Sequence, residues 1–171
     1  LPQLSKWTNE GQSNAVSTYA RLTRNIAEDI DLVIWPETAI PMYQRQAEPL
    51  LERVKATLPS GAELLTGIVQ RDDSGRYYNA VVGAGEVTDV YRKSHLVPFG
   101  EYIPMEKQLR GIIAFFDLPM SDFTAGNSEQ GPIRAAGLRI GTAICYEIIF
   151  PDLVAQRADN AEVLLTVSND T

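Results

Sequence analysis

The stretch from Gly141 to Pro151, GTAICYEIIFP, constrains this chain more than any other. Leu138, Ile140, Ala143 and Ile144 make an apolar run of strand length that ends at Cys145. Tyr146 and Glu147 follow, then Ile148, Ile149, Phe150 and Pro151, a residue suited to the first turn of a helix. A thiol between a buried strand and a coming helix is well placed to react. Helix N-terminal amides can stabilise its thiolate and can hold an oxyanion. Read alone, the same cysteine also fits as a small apolar side chain in a core. The rest of the chain has to decide between the two.

Helical spacing of Ala15, Val16, Tyr19, Leu22, Ile26 and Ile30 predicts an amphipathic helix closed by Asp31. Leu32 to Trp35 then reads as a short buried strand running into Pro36-Glu37-Thr38. Ala47, Leu50, Leu51, Val54 and Leu58 predict a second helix, stopped by Pro59-Ser60-Gly61. Glu63 to Gln70 and Tyr77 to Val82 read as strands joined by the turn Asp72-Asp73-Ser74-Gly75. Val87 to Tyr91 is a further strand, ending at Arg92-Lys93, and Ser94 to Pro104 is an irregular loop. Glu106 to Phe116 suits a short helix. Beyond Gly131 come strands Ile133 to Ala136 and Leu138 to Cys145, a helix over Pro151 to Arg157, and a strand over Val163 to Val167. Strands and helices mix without strict alternation, so we expect an α/β fold of sheets covered by helices, with no internal linker.

Composition narrows the function classes. With 171 residues, 44% hydrophobic and 22% charged, the chain suits one domain with a real core. A net charge of −7 argues against a nucleic-acid partner. One cysteine and one histidine exclude an intramolecular disulfide, a cysteine metal cage and a multi-histidine metal site. No apolar run reaches the roughly 18 to 20 residues that span a bilayer. Both ends read as cut, so we expect residues 1–171 to be a single catalytic domain, truncated at each end, of a longer membrane protein.

Three strand-like runs end in a reactive group: Glu37 after LVIWP, Lys93 after DVYR, and Cys145 after RIGTAI. Strand ends commonly line the ligand crevice of layered α/β domains. Together a carboxylate, an ammonium and a thiol suffice for acyl transfer. The carboxylate takes the thiol proton, the thiolate attacks a carbonyl, and the ammonium stabilises the oxyanion.

LVIWPETAIP, YRKSHLVPFGEYIP and GTAICYEIIFP resemble the three sequence blocks of the nitrilase, or carbon–nitrogen hydrolase, superfamily. HLVPFGEYIP and ICYEIIFP narrow the resemblance to the apolipoprotein N-acyltransferase family, and it covers nearly the whole chain. It implies an αββα sandwich of two mixed sheets covered by helices. It also implies that Glu37 is the general base, Lys93 the oxyanion-side lysine and Cys145 the nucleophile. Glu101 matches a second glutamate that holds the lysine, and Tyr146 and Glu147 match residues beside the nucleophile that the family needs. Trp7 matches a functional tryptophan near the start of the domain. Asn79 is a further expectation, orienting the site or lining the substrate, while His95 suits a structural hydrogen bond better than catalysis. Asn169 and Asp170 read as turn formers near the site.

The activity so implied moves an acyl chain from a membrane phospholipid, through a cysteine thioester, to the α-amino group of a diacylglyceryl-apolipoprotein. No metal or organic cofactor is called for. The implied location is the periplasmic side of the bacterial inner membrane, at the membrane surface. Two alternatives stay open: an amidase or nitrilase of the same superfamily that uses water as second nucleophile, and a binding domain that kept the fold but lost turnover. Between the lysine and cysteine blocks, Leu109, Ile112, Ile113 and Phe116 recur at helical spacing, with Phe115, Leu118 and Met120 beside them. They read either as a core helix or as an apolar lid that meets the bilayer.

Overall fold

Among the described residues, the longest strand pair forms between two largely apolar runs. In a computed structural model describing residues 9–26, 29–84, 86–98, 100–102 and 123–169, β3 (Glu63–Arg71) and β4 (Tyr77–Ala84) run antiparallel. Gly75, at φ +89°, supplies the left-handed turn between them, and Asp72 Oδ1 accepts from the Ser74 and Arg76 amides. β5 (Val90–Arg92) adds to the far side of β4.

On its other side β3 carries two short parallel strands in succession, β1 (Leu32–Ile34) and β2 (Ile40–Tyr43). Ile34 faces Leu65 and Ile40 faces Ile68, so that edge advances six residues while β3 advances three. The surplus is looped out at Pro36–Ala39, and Glu37 stands in the gap. β2 was not expected from the sequence. A four-residue segment containing Pro41 carries too weak a strand pattern, and an edge position is what makes its proline tolerable.

The second sheet has three strands in the order β6 (Ile133–Ala135), β7 (Leu138–Ile144) and β8 (Val163–Val167). β6 and β7 form a hairpin through Ala136 and Gly137, at φ +51° and +73°, the pair of positive angles that a tight two-residue turn requires. β8 runs parallel to β7 after the crossover helix α3 (Pro151–Ala158). Leu65, Val81 and Tyr91 from the first sheet, with Val87 from the loop before β5, meet Ile133, Ala135, Ile140, Ile144 and Val167 from the second in one buried cluster.

Helices close the outside. α2 (Gln44–Lys55) buries Ala47, Leu51 and Val54, spaced to share one face, against the outer side of the first sheet. α1 (Asn9–Arg24) packs there through Val16, Tyr19 and Ala20. Its docking is fixed by Trp35, whose Nε1 donates to Thr23 Oγ1 (3.0 Å) and whose ring stacks on Tyr19. α1 ends at Arg24, short of the expected Ile30, in a turn where the Asn25 and Ile26 amides bond back to Leu22 and Thr23. The result is the expected αββα order: helices, mixed sheet, mixed sheet, helix.

Candidate active site

Each reactive side chain sits where a strand stops. Glu37 occupies the break between β1 and β2, beside a residue with no side chain. A Cβ on Gly67 would lie 2.5 Å from the Glu37 Cα and from the Pro36 carbonyl oxygen. The Gly67 amide donates to that same oxygen (3.2 Å). An isolated glycine inside an apolar strand was the available signal for this close approach. Thr38, next to Glu37, is held at φ +47°.

Lys93 follows β5 directly, its amide bonded to the Asn79 carbonyl on β4 (2.8 Å). Its ammonium is 1% exposed, 2.8 Å from Glu101 Oε2 and 3.7 Å from Glu37 Oε1. Asn79, also buried, spends its amide protons on both carboxylates, 2.7 Å to Glu37 Oε1 and 2.9 Å to Glu101 Oε1. Glu101 is positioned by a local turn, with its Oε2 accepting from the Val97 amide (2.9 Å) and its own amide reaching the Val97 carbonyl. Two carboxylates thus share one lysine and one amide in a nearly dry space. Burial pushes the Glu37 carboxyl above its usual range, opposed by Lys93 and by the hydrogen bond from Asn79, and assisted by the neighbouring Glu101 charge. The Cys145 thiol, which follows the end of β7 in the second sheet, is near enough to Glu37 to favour its carboxylate slightly.

Cys145 is half-buried and stands at φ +51°, a left-handed angle that a non-glycine residue adopts at a cost of about 1 to 2 kcal/mol. It begins a short 3-10 turn, Cys145–Ile149, before α3. Glu147, two residues on, is fully buried beneath that turn. Its Oε1 accepts from the Ser94 amide (2.7 Å), Ser94 Oγ (2.8 Å) and the His95 amide (3.0 Å). Its Oε2 accepts from the Ile144 amide (2.8 Å), and Tyr91 Oη donates to both oxygens. Desolvation and the Glu147 charge hold the Tyr91 phenol up to about 12. Glu147 therefore does not face the reacting centre; it pins the loop after Lys93 to the strand end before Cys145.

Tyr146 is partly exposed, edge-on to Phe150, and the His95 ring lies 4.6 Å from the same Phe150. The structure thus brings Glu37, Asn79, Lys93, Glu101 and Cys145 into one cluster and sets Glu147 behind it. Trp7, Asp170 and the segment Met105–Met120 lie outside the described residues. Sequence reasoning missed Gly67, the strained angles at Thr38 and Cys145, and the partners that Glu147 recruits from β5 and its loop.

The carbon–nitrogen hydrolase family profile matches residues 1–171. An apolipoprotein N-acyltransferase of Azotobacter vinelandii is 45% identical over 99% of this chain and 34% of its own length. One from Pseudomonas aeruginosa is 42% identical over 100% of this chain and 34% of its own length. The chain therefore spans about a third of the curated relatives it matches. Among solved structures, a CN-hydrolase superfamily protein of Xanthomonas campestris aligns with a TM-score of 0.63 at 22% identity, over 92% of this chain and 59% of that one. An amidase of Nesterenkonia sp. AN1, carrying the acetamide moiety of fluoroacetamide on its active-site cysteine, aligns with a TM-score of 0.62 at 18% identity, over 92% and 59%. At that identity these two show a shared fold. With its full length matched by the family profile, the chain belongs to the carbon–nitrogen hydrolase family.

Proposed function

We propose that this chain is the catalytic domain of an apolipoprotein N-acyltransferase, working by double displacement through a thioester on Cys145. One observation carries the reading. The sole cysteine, on a strained turn, faces a buried Glu37–Lys93–Glu101–Asn79 cluster in a chain 45% identical to an enzyme of that name.

Glu37 takes the proton of Cys145, and the thiolate forms a C–S bond to an ester carbonyl carbon of a phospholipid. Burial suits the carboxylate to this work by raising its proton affinity. The Lys93 ammonium, neutralised at rest by Glu101, faces the oxyanion of the tetrahedral intermediate. As that intermediate collapses, the C–O bond breaks and Glu37 returns its proton to the departing lysophospholipid oxygen. In the second half the α-amine of a diacylglyceryl-cysteine attacks the thioester. Glu37 removes one amine proton and delivers it to the leaving sulfur, which leaves an amide and the free thiol. Glu101 and Asn79 hold Lys93 and Glu37 in register, and Glu147 holds the two halves together. On this reading the domain works at the periplasmic face of the bacterial inner membrane.

Water in place of the amine would make the same centre a hydrolase, so the test separates the two nucleophiles. The full-length protein is incubated with phospholipid vesicles and its intact mass measured, then chased with a diacylglyceryl-cysteine peptide. An acyl mass on Cys145 that disappears only with the peptide, and is absent from Cys145→Ser, is the expected result. Loss of the acyl mass in buffer alone, or no acyl mass at all, overturns the transferase reading.

A further inference from the structure

The clustered groups come from two sheets: Asn79 lies on the first, with Glu37, Lys93 and Glu101 in the loops beside its strand ends, and Cys145 follows β7 of the second. Their mutual placement depends on what locks the sheets together at this end. Glu147 is one such tie. The other comes from α3, twelve residues past the nucleophile, at Arg157.

Arg157 is only 3% exposed. Its Nη2 donates to Ser94 Oγ (3.3 Å) and its Nη1 to the Gln130 carbonyl (3.1 Å), while its guanidinium lies 5.0 Å above the Tyr91 ring. Its Nε is buried and has no hydrogen-bond partner among the described residues. Tyr91 and Ser94 flank the Arg92-Lys93 pair. Gln130 is itself fastened to that segment, accepting from the Arg92 amide (2.8 Å) and donating to the Arg92 carbonyl (2.7 Å). Two of these contacts, Ser94 and Tyr91, lie on the short segment that carries Lys93, and the third reaches it through Gln130. The backbone of Arg157 is anchored to the other half, because its carbonyl presses on β7 at Gly141, where no Cβ fits. Ser94 Oγ, while accepting from Arg157, donates to Glu147, whose second oxygen holds the amide of Ile144, the residue before Cys145. A buried cation is costly unless its partners repay the desolvation. Here the guanidinium's partners lie on the Lys93 side, while the helix that carries it packs on the strand leading to Cys145.

We infer that Arg157 is a positioning residue of the proposed acyl-transfer site, acting through Ser94 and Glu147 to fix Lys93 against the Cys145 turn. The inference rests on the reading of that site as a Glu–Lys–Cys centre, but not on the identity of its acyl donor. The charged and titratable groups around the pair are Glu37, Glu101, Tyr91, Glu147 and His95; none of the tested substitutions replaces one of them, though Ser94→Ala removes a donor from Glu147 and Arg157→Met removes the cation over Tyr91.

The test reads thiol activation without lipid. Iodoacetamide alkylation of the single cysteine is timed at fixed pH, well below the melting temperature, in the wild type, Ser94→Ala, Arg157→Met, Arg157→Lys and the Ser94→Ala/Arg157→Met double variant. Misplacement of the centre should slow alkylation about tenfold in Arg157→Met. Ser94→Ala should slow it in the same direction and Arg157→Lys should recover most of the rate. The double variant should be no slower than the worse single one, because both act through one link. A merely structural arginine would lower the melting temperature without changing the alkylation rate of the folded protein, and that outcome overturns the inference. So does a double variant whose losses multiply. If Arg157→Met does not fold, Ser94→Ala decides alone: it removes only the bridging hydroxyl, and a wild-type rate refutes the link. If the pattern holds but phospholipid never acylates Cys145, the proposed substrates fail while the positioning role stands.

Discussion

Replacing Glu147 by glutamine keeps its shape while removing its charge and half of its acceptor capacity. The structure dictates how the amide must sit. Tyr91 donates to both oxygens; besides it, Oε1 receives three donors, the Ser94 amide and hydroxyl and the His95 amide, whereas Oε2 receives the Ile144 amide. The new NH2 group therefore takes the Oε2 position, where Tyr91 Oη can turn to accept from it. The Ile144 amide is left facing a donor inside a residue with no exposure. An orphaned buried N–H costs about 1 to 3 kcal/mol. The bonds that remain lose their charge assistance, which costs roughly another 1 to 2 kcal/mol in total. Release from burying an ionised carboxylate offsets part of this. We expect a net loss of about 2 to 4 kcal/mol, and a fall in Tm of roughly 4 to 16 °C for a domain of this size. Urea unfolding gives the free energy, and iodoacetamide alkylation of Cys145 below the transition gives the functional cost, which should also be a slowing. A Glu147→Gln protein within about 1 kcal/mol of wild type would show that the five donors do not depend on the charge, and would refute this account of the turn.

Two further perturbations probe the first sheet. Gly67→Ala forces a methyl against the backbone of Pro36–Thr38, so it should cost about 1 to 3 kcal/mol and slow Cys145 alkylation, while Gly131→Ala, with open space around it, should leave both unchanged. Equal melts for the two alanine variants would mean that the Glu37 loop is not held against β3. Because burial raises the Glu37 pKa, the folded protein keeps this proton after the unfolded chain has released its own. Stability should then fall as pH rises from the ordinary glutamate value of about 4.3 up through the raised native value. Glu37→Gln should remove that fall in urea midpoints measured against pH, and an unchanged pH dependence would show that another group causes it.

The sandwich was legible because its core strands announce themselves. β3, β4, β7 and β8 are largely apolar runs of strand length, and their observed limits differ little from the expected ones. The same rule misplaced β5. Val87 was expected inside a strand but instead packs its side chain into the space over Gly83, and pairing begins only at Val90. Periodicity also carried α1 too far, since Ile26 and Ile30 keep helical spacing after the helix has ended. Apolar spacing reports which face is buried, and an irregular turn can continue that face.

Local pattern made the site legible in its reactive residues, whereas Glu101 and Glu147 were expected only from the family resemblance and Arg157 not at all, for a physical reason. Glu37, Lys93 and Cys145 each end an apolar run, so they stand out against it. Glu147 and Arg157 do not, because a glutamate in a turn or an arginine late in a helix ordinarily points to solvent. What buries them here is the junction of two sheets, which no local pattern encodes. A Cys145 backbone at a left-handed angle needs surroundings that hold it there. The 3-10 turn that follows brings the side chain of the second residue back beneath the strand end. A carboxylate at that position can bond the amide before the nucleophile and still reach the loop after the lysine. The acid beside the cysteine thus holds two strand ends in one geometry, while in the proposed mechanism proton transfer falls to Glu37 from the opposite sheet.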